Sequence, residues 1–240
     1  MQLNPPRFPS PLGLLRFALG ERGGSRAFPS WPRARPARWL RLVLVAGLVV
    51  PFLRLAYRID VRGAEHLAAA PEPCLLVSNH NMHLDWGMLL CAFPANFRRR
   101  LAVGAAASEI FGNPARAFPS RLLGNAFPFA KEGSGVRQSL QFVPRMLDEG
   151  WNVLIFPEGG ISLDGQMQPF KPGIGWLVAH TGVEVLPIRI DLLRPGFYEG
   201  SWWRLPRGHV RVTVAPAVRS EPGLSYDEIA AGLDRAVRSA

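Results

Sequence analysis

Cysteine and lysine are both scarce in this sequence. Cys74 and Cys91 are the two cysteines among 240 residues, so a disulfide framework is excluded, and their spacing does not match a metal motif. We expect both to be small core residues of a protein in a reducing compartment. Lysine occurs only as Lys131 and Lys171. Because every other cationic side chain apart from histidine is arginine, both lysines are candidates for a functional role.

Hydrophobic runs as long as a typical membrane-spanning helix are also missing. One shorter apolar run stands out, residues 42–53, which lies between Arg41 and Arg54. A helix that spans a bilayer needs about 20 apolar residues, and Pro51 disfavours one straight helix. We therefore predict a membrane-associated helix over residues 39–57 that lies at the bilayer interface or inserts halfway. A short span whose arginines reach the headgroups and a buried core helix are the alternatives.

The net charge of +10 is concentrated near the start of the chain. Residues 1–62 hold eleven arginines against Glu21 and Asp60, a net +9, whereas the remaining 17 basic and 16 acidic residues leave +1. A nucleic-acid-binding protein would carry its basic patch on the folded domain, so we exclude that class and predict attraction to a membrane surface. No cleaved secretory signal is recognisable. Residues 1–38 form a basic leader rich in proline and arginine, and residues 58–240 form the folded domain.

Strand-like and helix-like patterns alternate along the folded domain, and no internal repeat is present. This alternation predicts the α/β class, with a mostly parallel central sheet covered by helices on both faces and preceded by the N-terminal membrane-associated helix. Ser225 and Glu228 have the spacing of a capping box and predict the start of a last helix. The predicted strands are residues 59–63, 74–77, 101–105, 153–156, 185–190 and 210–214, and the clearest predicted helices begin at residues 86, 136 and 173.

A polar stretch directly after one predicted strand contains His80 and Asp85. The spacing puts His80 at the carboxyl end of the strand and Asp85 in the first turn of the next helix, so the carboxylate can reach the imidazole. A carboxylate fixes the tautomer of a histidine and stabilises its charged form, which is what a general base for a hydroxyl requires. The alternative is a pair of ordinary loop histidines, His80 and His83, beside an acidic helix N-terminus.

Two further stretches have the composition of ligand-binding loops. Residues 124–131 begin with glycine and end with Lys131, and residues 156–162 contain Glu158, Gly159 and a second glycine. Glycine lets the backbone approach a ligand and offer its N–H groups to an anion. Each stretch alone would also fit an ordinary glycine and proline turn.

Taken in order, these motifs resemble the glycerolipid acyltransferase family of the lysophosphatidate acyltransferase type. Its four blocks correspond here to His80–Asp85, Gly124–Lys131, Phe156–Ser162 and Val185–Ile190. The stretch Phe170–Gly173 also matches the basic residue and glycine that follow the third block in the family. The resemblance covers about residues 55 to 216.

The resemblance implies an acyl transfer without a covalent acyl-enzyme. His80 would deprotonate the acceptor hydroxyl, which attacks the thioester of acyl-CoA or acyl-carrier protein, and Asp85 would orient and stabilise His80. The acceptor would be a lysophospholipid, with lysophosphatidate as the first choice, at the cytoplasmic face of the cell membrane. No cofactor or metal is implied. The residues implied in binding the acceptor are Lys131, Glu158, Gly159, Ser162 and Lys171.

The third block departs from the family pattern. Gly160 and Ile161 stand where the family has threonine and arginine, and Lys131 stands where the second block has arginine. An aliphatic side chain cannot bind phosphate, so the acceptor could instead be a lyso-aminolipid or a zwitterionic lysolipid. Two other classes remain as alternatives, a metal-dependent hydrolase with His80, His83 and Asp85 as ligands, and a catalytically inactive lipid-binding protein.

Overall fold

The computed structural model describes residues 28–131, 133, 135–162, 166–194 and 208–240. Most of the predicted basic leader, residues 1–27, lies outside this part of the chain. Its last residues are described: Phe28 stacks on Phe142 with ring centroids 4.2 Å apart, and Trp31–Arg33 form a single 3₁₀ turn.

Helices and strands alternate as the sequence predicts. The strands are β1 (Tyr57–Arg62), β2 (Leu75–Ser78), β3 (Leu101–Ala106), β4 (Phe127–Phe129), β5 (Asn152–Ile155), β6 (Val185–Arg194) and β7 (Gly208–Val214). The helices are α1 (Arg35–Ala56), α2 (Ala64–Ala69), α3 (Asp85–Ala92), α4 (Ala95–Arg98), α5 (Ala107–Phe111), α6 (Pro114–Gly124), α7 (Gly135–Asp148), α8 (Pro172–Thr181) and α9 (Tyr226–Arg238). The predicted capping box is present at the start of α9, since Ser225 and Glu228 each bond the other's backbone N–H.

Within the described residues, the strands form one seven-stranded sheet in the order β1-β7-β6-β2-β5-β3-β4. The five strands from β6 to β4 run parallel, whereas β7 pairs with β6 in the antiparallel sense and β1 pairs parallel to β7. The predicted mostly parallel sheet is therefore confirmed. In this order β2 and β5 lie side by side near the centre, so the loops after them share one edge of the sheet.

Helices cover both faces of the sheet. Alternate side chains of β2 point to opposite cores: Leu76 packs with α1 and α3, whereas Leu75 and Val77 pack with α7, α8 and α9. Both cysteines are free and buried in the first core. Burial raises the pKa of the Cys74 thiol to about 12, so this thiol stays protonated and unreactive at neutral pH.

Helix α1 occupies most of the predicted membrane-associated segment but differs at its ends. It begins at Arg35 rather than residue 39, because Pro36 is favourable in a first turn, and Tyr57 already belongs to β1. Pro51 is accommodated by a π-helical turn over Val45–Val49. Proline has no N–H to donate and its ring crowds the preceding turn, so a widened turn just before it keeps the helix continuous.

The chain between β3 and β5 contains elements that the sequence patterns did not reveal. The stretch 124–131 was expected to be a loop, but its centre forms the short edge strand β4. A proline is tolerated there because an edge strand has one unpaired side. Helix α6 precedes it, with Asn113 as its N-cap and Asn125 ending it at a positive φ of 48°. Pro119 lies inside this helix and interrupts the apolar periodicity from which the helix could have been predicted.

Candidate active site

The predicted site residues lie at the carboxyl edge of the parallel strands. His80 follows β2, Lys131 follows β4 and Glu158 follows β5. Open α/β sheets place ligands at this edge because the loops there converge from neighbouring strands. Sequence-distant motifs therefore meet in one place.

His80 and Asp85 form a hydrogen-bonded pair. The distance between His80 Nδ1 and Asp85 Oδ2 is 2.8 Å, and the Asp85 side chain is fully buried whereas that of His80 is 20% exposed. Oδ2 also accepts the backbone N–H groups of Asn81 at 2.6 Å and Met82 at 2.9 Å. Asp85 opens α3, where the helix dipole favours a negative charge. These interactions stabilise a buried carboxylate that faces the imidazole.

The imidazole of His80 is held by one nitrogen and by one ring face. A carboxylate only accepts hydrogen bonds, so in the neutral imidazole bonded to it Nδ1 carries the proton and Nε2 keeps a free electron pair. The ring stacks on Phe156, with centroids 4.4 Å apart and planes 23° apart. This packing fixes the ring plane and leaves Nε2 as the atom of His80 that can accept a proton.

Glu158 connects the loop after β5 to the loop after β2. Its Oε1 accepts the backbone N–H of His80 at 2.7 Å. Its Oε2 accepts the Ser162 hydroxyl at 2.7 Å and the backbone N–H of Gln168 at 2.6 Å. The backbone N–H of Ser162 in turn donates to the His80 carbonyl at 2.9 Å. Glu158 and Ser162 thus position His80, and their predicted contact with an acceptor stays a prediction.

Gly159 lies under the side chain of Lys171. Its φ is +76°, and a Cβ atom built there would be 2.9 Å from Lys171 Cε and 3.1 Å from Lys171 Nζ. A larger residue would be strained by its backbone conformation and would displace the lysine. Glycine therefore lets the exposed Lys171 lie across the loop, beside the residues that position His80.

Lys131 is paired with an acidic residue that the sequence patterns did not single out. Its Nζ lies 2.8 Å from Glu109 Oε1, with the two side chains 31% and 45% exposed. The hydrogen bond from Lys131 holds the pKa of Glu109 below its usual value, and the charges of Lys131, His83 and His80 act in the same direction. Glu109, Lys131 and the two histidines thus share one electrostatic neighbourhood.

Asn79 is a second residue that sequence reasoning missed. Its side-chain amide donates to the carbonyl of Ile190 at 2.8 Å and its oxygen accepts the Ile190 N–H at 2.7 Å. Asn81 also donates to the Ile190 carbonyl, at 2.7 Å. These bonds attach the start of the His80 loop to β6. The one available signal in the sequence for the role of Asn79 was its place, as a polar residue immediately after an apolar strand.

The geometry gives little support to a metal-ligand set. Among the residues that the structure describes, no group of three or more histidine, cysteine, aspartate or glutamate side chains is arranged to hold a metal ion. His80 and Asp85 are bonded to each other, and His83 is an exposed neighbour.

The segment that contains His80 and Asp85 matches a known protein family. A profile of the Acyltransferase family matches residues 58–191, which is more than half of the chain. The chain belongs to the acyltransferase family. The family assignment and the predicted fold class are therefore confirmed.

The chain is also similar to named acyltransferases. The chloroplastic 1-acyl-sn-glycerol-3-phosphate acyltransferase BAT2 of Brassica napus is 31% identical over 173 residues, which are 72% of this chain and 48% of that protein. The human 1-acyl-sn-glycerol-3-phosphate acyltransferase alpha is 28% identical over 204 residues, which are 85% of this chain and 69% of that protein. This chain thus spans about half the length of the Brassica relative.

A solved structure of a relative shares the fold. It is the crystal structure of the 1-acyl-sn-glycerophosphate (LPA) acyltransferase PlsC from Thermotoga maritima, with a TM-score of 0.56 and 21% sequence identity. The similarity covers 94% of this chain and 85% of that chain, so it includes the N-terminal helix as well as the sheet.

Proposed function

We propose that the protein transfers a fatty acyl group from acyl-CoA or acyl-carrier protein to the free hydroxyl of a lysophospholipid, with lysophosphatidate as the first choice of acceptor. The observation that carries this proposal is the 2.8 Å bond between His80 Nδ1 and Asp85 Oδ2, which orients a partly exposed general base. The names of the Brassica and human relatives, both 1-acyl-sn-glycerol-3-phosphate acyltransferases, support the acceptor class.

The reaction needs one proton acceptor and no covalent acyl-enzyme. His80 Nε2 takes the proton of the acceptor hydroxyl while the hydroxyl oxygen attacks the thioester carbonyl carbon. Asp85 stabilises the imidazolium that forms. The tetrahedral intermediate then collapses, the carbon–sulfur bond breaks, and the imidazolium returns its proton to the leaving thiolate. Ester and free thiol are the products, and His80 is again neutral.

The charge of the acceptor headgroup decides which side chains can bind it. Lys131 and Lys171 are the cationic candidates, because Ile161 stands where a phosphate-binding arginine would be expected. A phosphate bound by these two lysines would compete with Glu109 for Lys131. A zwitterionic or amino headgroup would instead find a carboxylate at the same position, which keeps the second acceptor class open.

An acyl-transfer assay with a panel of lysolipids tests the proposal. Radiolabelled acyl-CoA is incubated with lysophosphatidate, zwitterionic lysolipids and lyso-aminolipids, and the lipid products are separated. Preference for lysophosphatidate would support the first choice, and preference for another lysolipid would establish the second. Transfer to none of them, with acyl-CoA or with acyl-carrier protein, would contradict the proposed activity.

We also propose that α1 holds the protein at the cytoplasmic face of the membrane. The helix has 22 residues and a mean hydropathy of 1.9 over its most apolar window, of which 28% is buried. Its outward face carries large apolar side chains that are 47–68% exposed: Trp39, Leu40, Val43, Leu48, Phe52 and Leu55. We call this the apolar stripe. A bilayer would bury it without changing the domain, which favours an interfacial helix.

Charged substitutions in the apolar stripe test this attachment. The variant V43E/L48E should fail to sediment with phosphatidylcholine vesicles at high salt, where screening removes arginine–lipid attraction but not apolar burial. Gln138→Glu, an exposed position on α7, is the control and should sediment like the unmodified protein. Full sedimentation of V43E/L48E would contradict a bilayer contact through this face.

A further inference from the structure

A cavity of about 520 Å³ lies between α1 and the segment from α3 to β3. It is away from the His80–Asp85 pair, neither of whose members lines it. Its floor is apolar and includes Leu42, Val45, Ala46, Leu90 and Leu123. This volume is within the range of about 300–1,000 Å³ that is usual for small-ligand sites.

The rim of this cavity is strongly basic. Arg35, Arg38, Arg41, Arg98 and Arg99 line it, and no aspartate or glutamate of the described residues does. Five cations without an acidic neighbour repel one another, so a bound anion would lower the electrostatic energy of this region. The charge of the rim therefore favours an anionic ligand.

The arginines differ in whether their side chains already form hydrogen bonds within the protein. Arg41 is buried, and its guanidinium donates to the carbonyls of Leu122 and Pro32, both at 2.6 Å. Arg98 donates to the Leu90 carbonyl at 3.1 Å. The side chains of Arg35 and Arg99 are exposed and have no hydrogen bond or ion pair to another described residue. Arg41 and Arg98 thus shape the site, whereas Arg35 and Arg99 are available to a ligand.

The cavity opens onto the apolar stripe of α1. Trp39 and Val43 line the cavity, and they are 68% and 65% exposed on the outward face of the helix. A water-soluble anion would bind the basic rim, but it would gain nothing from contact with the apolar floor or from an opening toward lipid. A ligand with a phosphate and an acyl chain would bind the rim through its phosphate and the floor through its chain, and it could enter from the lipid side.

We propose that this cavity binds one anionic phospholipid of the bilayer, with its phosphate on Arg35 and Arg99 and the start of an acyl chain over Leu42, Ala46 and Leu90. Two guanidinium groups form strong, directed hydrogen bonds to phosphate oxygens. The inference rests on the proposed bilayer contact of α1 and not on acyl transfer. The bound lipid would fix the depth and orientation of α1, and through it the domain, at the membrane surface.

Native mass spectrometry of the full chain in a neutral detergent tests this site. Phosphatidylglycerol should give a one-to-one adduct that phosphatidylcholine at equal concentration does not give. The variant R35Q/R99Q should weaken phosphatidylglycerol binding about tenfold, which corresponds to about 1.4 kcal/mol. Ala46→Trp, which fills the cavity, should weaken it through the apolar floor while the arginines remain.

Matched controls separate a defined site from general charge attraction. R62Q/R137Q removes the same charge from exposed positions on β1 and α7 and should leave binding within about twofold of the unmodified protein. A variant is compared only if its thermal unfolding midpoint matches that of the unmodified chain. Equal weakening in R35Q/R99Q and R62Q/R137Q would overturn the proposal, as would equal binding of both lipids.

Competition experiments identify other occupants. Loss of the phosphatidylglycerol adduct on addition of inorganic phosphate would indicate a simple anion site, and loss on addition of acyl-CoA would indicate a donor site. Either outcome would overturn the lipid assignment. His80→Ala should keep the adduct, so lipid binding can succeed where acyl transfer fails. Absence of transferase activity with an intact, selective adduct would therefore count against the proposed function alone.

Discussion

The two ends of the candidate active site are built differently. At the chemical end, Asp85 is fully buried and its Oδ2 accepts three hydrogen bonds, while the His80 backbone is bonded on both sides to the loop after β5. At the proposed acceptor end, Lys131 is 31% exposed and forms an ion pair with Glu109. Lys171 is exposed as well.

This difference indicates that the position of His80 must be fixed closely, whereas the positions of the two lysines can vary. A general base must be held within a fraction of an ångström, so many short bonds converge on it. An exposed lysine ion pair contributes about 0–1 kcal/mol, and it rearranges easily around a headgroup. Substitutions at the chemical end should therefore reduce turnover, whereas those at the acceptor end should alter acceptor KM.

The largest expected effect is the loss of the base. His80→Ala should lower kcat by about 10²–10⁴ fold, since it removes general base catalysis, while acceptor binding changes much less. Asp85→Asn should lose much of the same activity, and the double variant should lose far less than the product of the two. His83→Ala, at the exposed neighbouring histidine, is the control. Full activity of His80→Ala would disprove the mechanism.

A smaller effect is expected where the two loops meet. Glu158→Gln replaces one acceptor oxygen by an NH₂ group, so at least one of the three donors now on Glu158 is left unpaired. The expected cost is about 1–3 kcal/mol of unfolding free energy, measured by urea denaturation, together with a lower kcat. Glu221→Gln, an exposed acid, should change neither. A rise in acceptor KM at unchanged kcat would instead support the acceptor contact that the family resemblance implies.

At the acceptor end, Ile161→Arg should separate the two acceptor classes. If the acceptor is a phosphomonoester, the new arginine should leave KM unchanged or lower it about tenfold, since a hydrogen bond to a charged group contributes at least about 1.5 kcal/mol. Ile161→Gln is a control of similar length without charge. If wild type prefers an uncharged or zwitterionic lysolipid and Ile161→Arg shifts the preference to lysophosphatidate, our first choice of acceptor is wrong.

The smallest effect should come from releasing Lys131. Glu109→Gln removes its ion-pair partner and should lower KM for lysophosphatidate a few fold, with less effect at high salt. Because the pKa of Glu109 is lowered, its carboxylate stays ionised well below neutral pH. The KM difference between the variant and wild type should therefore be the same at pH 7.5 and pH 8.5, where the phosphate also keeps its full charge. A difference that changes between these two pH values would contradict this account of Glu109.

Local features of this protein could be predicted from the residues alone. His80 and Asp85 are five positions apart, so a single turn brings them together whatever the rest of the chain does. The capping box at Ser225 is equally local, and apolar runs or alternating apolar residues of strand length marked all the strands except β4. Such features depend on neighbours in the chain, whose distance is limited by the backbone itself.

The support around the pair required the folded sheet. Glu158 meets His80 across 78 positions, and Asn79 meets Ile190 across 111. Hydrophobic periodicity shows that a strand is buried but does not state which strand lies beside it, and parallel neighbours can be joined by crossovers of any length. Strand order places β2 between β5 and β6, and this placement turns Glu158 and Asn79 into supports for the loop that holds His80.

The N-terminal helix shows the same division. Its apolar run was visible in the sequence, but composition could not say which residues face the domain and which face outward. Packing against α3 buries Leu53 and leaves the apolar stripe exposed. The pairing of Glu109 with Lys131 also depends on the fold, because β3 and β4 bring the segments that follow them together at one end of the sheet. Side-chain chemistry sets what each residue can bind, and only the packing of distant segments sets which partners it meets.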